Sequence, residues 1–524
     1  MQPLRLAVVF AGLALLTRSL PAATFDLVLR QGRLVDGTGN PAIHAEVAIK
    51  DGRIAAVGQI SGDATREIDV RGLVITPGFI DVHTHAEDIE ELPLAENFVR
   101  MGVTTLVLGN CGGSKLDIAD FFTRLEAKKI SPNIATLIGH NTIRSQVMGG
   151  SFRRPPTAGE LAKMKSLVGQ AMKDGAVGLA TGLIYLPGTF AKTEEIIELA
   201  KVVAAHDGIY VSHLRHEDGQ IFEALDELFR IAREAHVRAE ISHLKLAGKS
   251  AWGRPGQILD AIERARAGGL DITHDLYLYT ASSTGISTLI PSAEREGGRE
   301  KFSALLANPE AKARLIATLK ENLTQRGYRD YTFAVIANYR HNPALNGLDL
   351  PAAAKKARGS ASLDDQIELI LDIETQGGAQ GVFHGMNEGD LQAFARDPHT
   401  MFASDSGVRK FNEGVPHPRG YGNNARVLAR YVRELKLLRL EDAVRKMTLF
   451  PASMFGLKDR GQIRAGAWAD LVVFDPATVQ DHATFNDPHR YATGFRLVLV
   501  NGVVVVENDV HTGVRPGKTL RHAP

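Results

Sequence analysis

Apolar, strand-like runs alternate with helix-like segments through most of this 524-residue chain. Such alternation is typical of repeated βα units, whose strands form a parallel sheet. The spacing favours closure of that sheet into a barrel, because His213 and His243 lie 30 residues apart and His274 follows 31 residues later, about one βα unit each. We therefore predict an α/β fold, a distorted (β/α)8 barrel of the TIM type.

Nine such runs compete for the eight strand positions of a barrel. Their last residues are Asp81, Cys111, His140, Thr181, His213, His243, Asp275, His384 and Asp405. We predict that the run ending at His384 lies outside the barrel.

The sequences at the two ends of the chain have a different pattern: short segments in which polar and apolar residues alternate, separated by hairpin signals such as Asp51-Gly52. We predict that residues 24–75 and 456–524 pair into one small β-sandwich, and that residues 76–455 form the barrel. A charged, helix-prone stretch at about 286–345 is too long for an ordinary connection. We expect it to be a lid-like insertion over the barrel mouth.

Residues 1–23 have the organisation of an export signal. Arg5 precedes an apolar run too short to span a bilayer comfortably, and small residues follow Leu20. We expect an exported protein, periplasmic or secreted, without stable membrane association once the signal is removed; an uncleaved anchor is the open alternative. The only cysteine is Cys111, so an intrachain disulfide is excluded.

The charges of the chain are nearly balanced, with 61 basic and 60 acidic side chains and a net charge of +1. Such a chain offers no electrostatic field for nucleic acid or an anionic membrane. A small substrate that is neutral or carries one local charge fits better. The sequence leaves the oligomeric state open.

His83 and His85 follow the apolar run that ends at Asp81. Alternate positions of an extended backbone point to the same face, so one divalent metal can bind both imidazoles. In a barrel, the strand ends converge on one face and bring polar residues together. The candidate ligands are His83, His85, Cys111, His213, His243 and Asp405.

This mixture of imidazole, thiolate and carboxylate suits zinc. Six ligands exceed the needs of one tetrahedral ion, so the residues leave open whether there are two metals or one metal and a weak or catalytic position. Metal-activated water is a nucleophile near neutral pH, which predicts hydrolysis. Asp405 is the candidate general base and acid, taking a proton from the water and delivering it to the leaving nitrogen.

The segment from Pro77 to His85, a histidine at each of two later strand ends and Ser404-Asp405 together resemble the amidohydrolase superfamily. Further motifs resemble its D-aminoacylases, the N-acyl-D-amino-acid deacylases. They are Asn110-Cys-Gly-Gly-Ser114, Ser212-His-Leu-Arg215, Ser242-His-Leu-Lys245 and His417-Pro-Arg419. The resemblance covers nearly the whole chain after the export signal.

The resemblance implies hydrolysis of N-acyl-D-amino acids, with Cys111, His213 and His243 holding one tightly bound zinc. His83, His85 and Asp405 would line a second, weaker metal position, with Asp405 also catalytic. The resemblance also implies substrate contacts for four residues. Lys245, Tyr279 and Arg419 would grip the free α-carboxylate of an N-acylated amino acid, with Tyr185 nearby.

Three positions depart from the family pattern: Gly113 stands where a bulky apolar residue is usual, Leu278 replaces a proline, and Ser406 replaces a glycine. These departures concern the shape of the substrate rather than hydrolysis. Four histidines without an evident partner are interpreted as structural or supporting residues: His140, His216, His274 and His384. His216 and Glu217 are candidates to support His213.

Two alternatives stay open. One is a hydrolase of cyclic amides, such as a dihydroorotase or hydantoinase, or a dipeptidase-like enzyme. Those relatives generally have a bridging lysine or glutamate at a strand end, and the run ending at Thr181 offers none. The other is a non-catalytic barrel that binds or assembles with partners, although such barrels usually lose ligands.

Overall fold

The computed structural model describes residues 25–149 and 153–522. The predicted export signal, residues 1–23, lies outside this described part. Within it, every helix is too short or too polar to cross a bilayer.

The described residues form strands throughout the chain, numbered in chain order. They are β1 Phe25–Leu34, β2 Ile43–Lys50, β3 Arg53–Gly58, β4 Ala64–Asp69, β5 Val74–Pro77, β6 Phe79–Asp81, β7 Val103–Leu108, β8 Asn133–Thr136, β9 Ile138–Gly139, β10 Gly178–Gly182, β11 Ile209–His213, β12 Arg238–Ile241, β13 Ile272–Leu276, β14 Ser282–Gly285, β15 Ala334–Asn338, β16 Gln380–Phe383, β17 Thr400–Phe402, β18 Leu471–Phe474, β19 Phe495–Val500, β20 Val503–Glu507 and β21 Val510–His511.

The α-helices follow the same chain order. They are α1 Glu96–Val99, α2 Ile118–Lys128, α3 His140–Met148, α4 Ala158–Asp174, α5 Thr193–Ala204, α6 Ile221–Ala235, α7 Pro255–Ala267, α8 Ser292–Arg295, α9 Gly298–Ala307, α10 Pro309–Gln325, α11 Leu350–Arg358, α12 Leu363–Thr375, α13 Glu388–Arg396, α14 Arg419–Arg426, α15 Leu440–Met447 and α16 Leu449–Met454. A π-helical segment, Val427–Glu434, follows α14 directly.

The central strands form the predicted parallel barrel. One sheet has the order β6-β7-β8, the other β17-β13-β12-β11-β10-β9, and β8 and β9 are separated only by Leu137. The ring closes beyond β6 and β17, where Thr84 bridges Ser406 and the Asp405 N–H donates to the His83 carbonyl at 2.9 Å. With β8 and β9 taken as one interrupted strand, this is the eight-stranded barrel, and the prediction is confirmed.

The helices pack on the barrel through one apolar face. In α6, the buried residues Leu225, Leu228 and Ala232 recur every three or four positions, which places them on one side of the helix. The helix α4 begins with a capping box, in which Thr157 and Glu160 satisfy each other's backbone N–H groups. Sequence periodicity and capping therefore fix these helices locally.

The chain ends form one β domain. The sheet has the order β21-β20-β19-β18-β5-β1-β2-β3, with β4 paired to β1. Alternate residues separate its two faces: Val472 and Val498 pack into the barrel core, whereas Val473 and Leu497 belong to a core of the sheet itself. The predicted pairing of the two chain ends is confirmed, although the strands join one continuous sheet instead of two stacked sheets.

The chain passes from this sheet to the barrel at Gly78. The apolar run that ends at Asp81 reads as one strand but is two, β5 in the end sheet and β6 in the barrel. A Cβ at Gly78 would collide with the Thr104 side chain, so glycine permits the close approach of the two units.

A second unit with its own core lies between β13 and β17. The strands β14, β16 and β15 form an antiparallel sheet, and α9 to α12 pack around Phe302, Leu319, Leu350 and Ile370. This unit extends from Ser282 to Phe383, beyond the predicted 286–345, because β14 pairs directly with β16. The run ending at His384 thus lies outside the barrel, as predicted.

Candidate metal centre

The structure brings all six candidate ligands to the carboxyl ends of the barrel strands. His83 and His85 follow β6, Cys111 follows β7, and Asp405 follows β17; His213 ends β11 and His243 follows β12. All except His85 and Cys111 are buried, and these two are partly exposed to one cavity.

Three of these residues have a backbone conformation that is unusual for non-glycine residues. The φ angles of Cys111, His243 and Asp405 are 53°, 36° and 50°. Residues held in the left-handed region cost on the order of 1–3 kcal/mol and cluster at functional sites. At each of these three positions the backbone turns out of its strand, and the side chain lines the metal cavity. Gly112, at φ 81°, packs so closely on Asn141 that a Cβ would collide with it.

The Cys111 sulfur lies at the centre of three histidines. Its Sγ is 3.4 Å from His83 Nε2, 3.5 Å from His213 Nδ1 and 3.7 Å from His243 Nε2. Sulfur and nitrogen ligands at usual distances from a tetrahedral zinc lie about 3.6 Å apart. The spacing therefore fits a zinc ion held by the thiolate and imidazoles.

A second group of possible ligands adjoins the first. Asp405 Oδ1 lies 3.1 Å from His85 Nε2 and 3.7 Å from His83 Nε2. His83 belongs to both groups, since its Nε2 faces Cys111 on one side and Asp405 on the other. The two groups form one continuous centre.

Two carboxylates, the buried Asp275 and the half-buried Glu217, orient the histidines through Nδ1. Asp275 Oδ2 lies 3.0 Å from His83 Nδ1, and Glu217 Oε1 lies 3.1 Å from His243 Nδ1. A histidine that donates its Nδ1–H to a carboxylate keeps the Nε2 lone pair for a metal. His213 Nε2 has no hydrogen-bond partner among the described residues and faces Glu217 Oε1 at 3.8 Å.

The surrounding charges set the protonation of the centre. Burial opposes ionisation of the Cys111 thiol, but His83 and His213 outweigh it, so the pKa of Cys111 lies well below its usual value. Burial likewise opposes the charge of Asp405, but Arg419 and His83 lower its pKa well below the ordinary range. Thiolate and carboxylate are the forms that bind metal.

A cavity of about 420 Å³ opens onto these ligands. Tyr185 lines it, with its ring 4.9 Å from the His213 ring and its Oη 3.1 Å from Thr284 Oγ1 of the inserted unit. Lys245 and Arg419 line it as well, and Ser282 and Gln380 bring further parts of that unit into the wall. Three of the four predicted substrate residues therefore lie at the cavity.

Tyr279, the fourth predicted substrate residue, does not line this cavity. Its ring packs against His417 and Phe485, and the Arg426 guanidinium lies 4.7 Å from the ring centroid. Tyr279 was assigned through the family resemblance, but β13 ends at Leu276 and the backbone bends there, so the Tyr279 ring does not reach the cavity. The Tyr277 ring centroid lies 4.4 Å from the Arg419 guanidinium and 6.5 Å from the His243 ring.

Three further residues contact the candidate ligands or line the cavity and were not in the predicted set. Asp275 ends an apolar run, so its position at a strand end could have indicated a place in the site. Glu217 was predicted only as a support for His213. Arg409 also lines the cavity, but no sequence pattern indicated this, since it lies in an irregular loop. Among the histidines interpreted as structural, His140 pairs with buried Glu195 and His274 with Asp397, which are structural contacts.

Comparison with known proteins places this centre in a family. The model of the amidohydrolase family matches residues 66–506. The chain belongs to the amidohydrolase family. A D-aminoacylase of Alcaligenes xylosoxydans xylosoxydans is 37% identical over 95% of this chain and 97% of that protein. An N-acyl-D-glutamate deacylase of the same organism is 34% identical over 95% of this chain and 96% of its own length.

Solved amidohydrolase structures agree in fold. A D-aminoacylase crystal structure has a TM-score of 0.81 at 36% identity and covers 95% of this chain and 100% of that one. The N-acyl-D-glutamate deacylase of Bordetella bronchiseptica, complexed with zinc and a phosphonate inhibitor, has a TM-score of 0.82 at 32% identity with the same coverage. A D-hydantoinase is similar at 15% identity and a TM-score of 0.55, which shows the shared fold alone.

Proposed function

We propose that this amidohydrolase hydrolyses the amide bond of N-acyl-D-amino acids and releases a carboxylate and a free D-amino acid. The observation that carries the proposal is the Cys111 sulfur within 3.4–3.7 Å of three histidine nitrogens. The similarity of nearly the whole chain to D-aminoacylase and N-acyl-D-glutamate deacylase supports the substrate class.

The chemistry of the donors supports zinc as the metal. Cys111, His213 and His243 would hold a tightly bound ion, and His83, His85 and Asp405 a second, weaker one. When bound, zinc supplies Lewis acidity that activates water and polarises the scissile carbonyl.

Asp405 is placed to move the protons of the reaction. Its Oδ1 contacts His85 and its Oδ2 lies 2.9 Å from Arg419 Nη1, so the carboxylate is fixed at both oxygens. Its low pKa keeps it ionised at neutral pH. Asp405 would therefore begin as the proton acceptor and later return the proton to the departing nitrogen.

Arg419 is the best placed group for the substrate α-carboxylate. The side chain is 2% exposed, and its Nε has no hydrogen-bond partner among the described residues. A carboxylate fixed at Arg419 and a carbonyl fixed near Asp405 would together select the configuration of the α-carbon.

Release of free amino acid from paired N-acetyl-D and N-acetyl-L substrates tests this proposal. We expect turnover of D substrates only, its loss after chelation and its recovery with zinc. Hydantoin and dihydrouracil serve as cyclic controls. Turnover confined to L or cyclic substrates, or none with zinc restored, would refute the proposal. Export is a separate proposal that rests on residues 1–23 and is tested by cell fractionation.

A further inference from the structure

Three cationic side chains other than histidine line the metal cavity: Lys245, Arg409 and Arg419. Two of them are compensated by carboxylates of the protein. Lys245 Nζ lies 2.5 Å from Glu217 Oε1, and Arg419 Nη1 lies 2.9 Å from Asp405 Oδ2. Arg409 differs from both.

The Arg409 guanidinium has no carboxylate oxygen within 4 Å among the described residues. Its side chain donates one hydrogen bond, from Nε to Ser406 Oγ at 3.2 Å. Asp88 lines the same cavity but is exposed and farther away. Burial and the nearby Arg419 lower the pKa of Arg409, so its positive charge is poorly compensated. A guanidinium remains charged in proteins, and a partly desolvated charge without a partner is costly.

The loop that carries Arg409 is held in place. The Arg409 backbone N–H donates to Asn97 Oδ1 at 3.1 Å, and Asn97 Nδ2 donates to the Gly407 carbonyl at 3.3 Å and the Gly420 carbonyl at 2.9 Å. Asn97 is buried, with 2% of its surface exposed. The side-chain amide of Asn97 thus links the Arg409 loop by hydrogen bonds to the first turn of α14, next to Arg419.

Under the proposed function, the free donors of Arg419 bind the substrate α-carboxylate, which leaves the Arg409 donors without an anion. We infer that Arg409 binds a second carboxylate on the substrate, so that this chain prefers N-acyl derivatives of acidic D-amino acids. A bidentate arginine–carboxylate contact provides charge and geometry for such recognition. This inference rests on the proposed function.

Arg295 provides a matched comparison. It lies in a neighbouring chamber of about 360 Å³ between the barrel and the inserted unit, where Nε donates to the Ile290 carbonyl and Nη2 to Ser292 Oγ. Among the described residues, it also has no carboxylate within 4 Å. Arg295 does not line the metal cavity, which is why Arg409 is the better candidate.

The test compares kcat/KM of the zinc-loaded full chain for N-acetyl-D-glutamate and N-acetyl-D-aspartate with that for the uncharged N-acetyl-D-glutamine and N-acetyl-D-asparagine. We expect the wild type to prefer the acids. The Arg409→Gln variant should lose about 10- to 100-fold on the acids, the range of a hydrogen bond to a charged group, and little on the amides. Arg409→Lys should keep part of the preference, and Arg295→Gln all of it.

Several outcomes would overturn the inference. One is a wild type with higher kcat/KM on the amides than on the acids. Another is an Arg409→Gln variant whose kcat/KM falls equally on acids and amides. A third is loss of the preference for acids in Arg295→Gln but not in Arg409→Gln. Zinc content and thermal unfolding identify a variant that fails to fold, in which case Arg409→Lys decides by whether it retains the preference. No turnover of any N-acyl-D-amino acid would count against the proposed function itself, which separates the two failures.

Discussion

The Nζ of Lys245 lies 2.5 Å from Oε1 of Glu217, inside the metal centre. The same oxygen lies 3.1 Å from His243 Nδ1, and Lys245 Nζ lies 2.7 Å from that nitrogen. For His243 Nε2 to bind a metal, Nδ1 must donate to Glu217. Lys245 therefore stabilises the carboxylate that orients a ligand, and much of its charge is used within the protein.

We expect Glu217→Gln to weaken zinc binding by about 10- to 100-fold, because outer carboxylates raise the basicity of metal-binding histidines. Competition with a chromophoric chelator measures the affinity. Glu227→Gln is the matched control, since Glu227 forms a similar half-buried pair with Arg215 at 2.9 Å. Equal zinc affinity in Glu217→Gln and the wild type would contradict this role of Glu217.

Zinc should protect the Cys111 thiol from reagents. Because the chain has a single cysteine, a thiol-specific dye reports on this residue alone. The histidines lower the pKa of Cys111, so the metal-free protein should react rapidly with one equivalent of dye at neutral pH. The zinc-loaded protein should react far more slowly. Equal reaction rates with and without zinc would place Cys111 outside the metal centre.

Asp405→Asn should abolish most turnover while retaining zinc. Removing a general acid and base typically lowers kcat by about 10²- to 10⁴-fold, and the tighter ligand group does not include Asp405. Steady-state kinetics and zinc analysis of the same sample check both statements. Asp88→Asn removes another carboxylate from the cavity wall and should leave kcat close to wild type. An Asp405→Asn variant with normal kcat would exclude Asp405 as the proton carrier.

The sequence predicted the barrel and the convergence of the six candidate ligands because both depend on local patterns. Apolar runs define the strands, and the residue types at their ends can be read directly, as for Cys111 and His213. Parallel strands then force those ends onto one face. The centre was thus predictable from strand ends alone, without any knowledge of the connecting loops.

The substrate side of the site depends on geometry that no local pattern encodes. Tyr279 was assigned by a motif, but the bend after Leu276 turns it away from the cavity. Arg409 lies in a loop positioned by Asn97, a residue 312 positions earlier in the chain. The inserted unit was underestimated because its limits are set by the antiparallel pairing of β14 with β16, which joins distant parts of the chain and leaves no local pattern in the sequence.

Asp81 joins the first and last barrel strands, so Asp81→Asn should destabilise the barrel at its closure. Its buried carboxylate accepts the Ser404 N–H at 3.0 and 3.1 Å and the His83 N–H at 3.2 Å. An amide oxygen can still accept from both N–H groups, but the amide NH2 that replaces Oδ2 would face the Ser404 N–H, which we expect to cost about 1–3 kcal/mol in free energy of unfolding. Urea unfolding of the zinc-loaded protein measures it. Asp271→Asn, an exposed aspartate just before β13, should change that free energy by less than about 0.5 kcal/mol. Similar effects of both variants would show that Asp81 does not stabilise the closure.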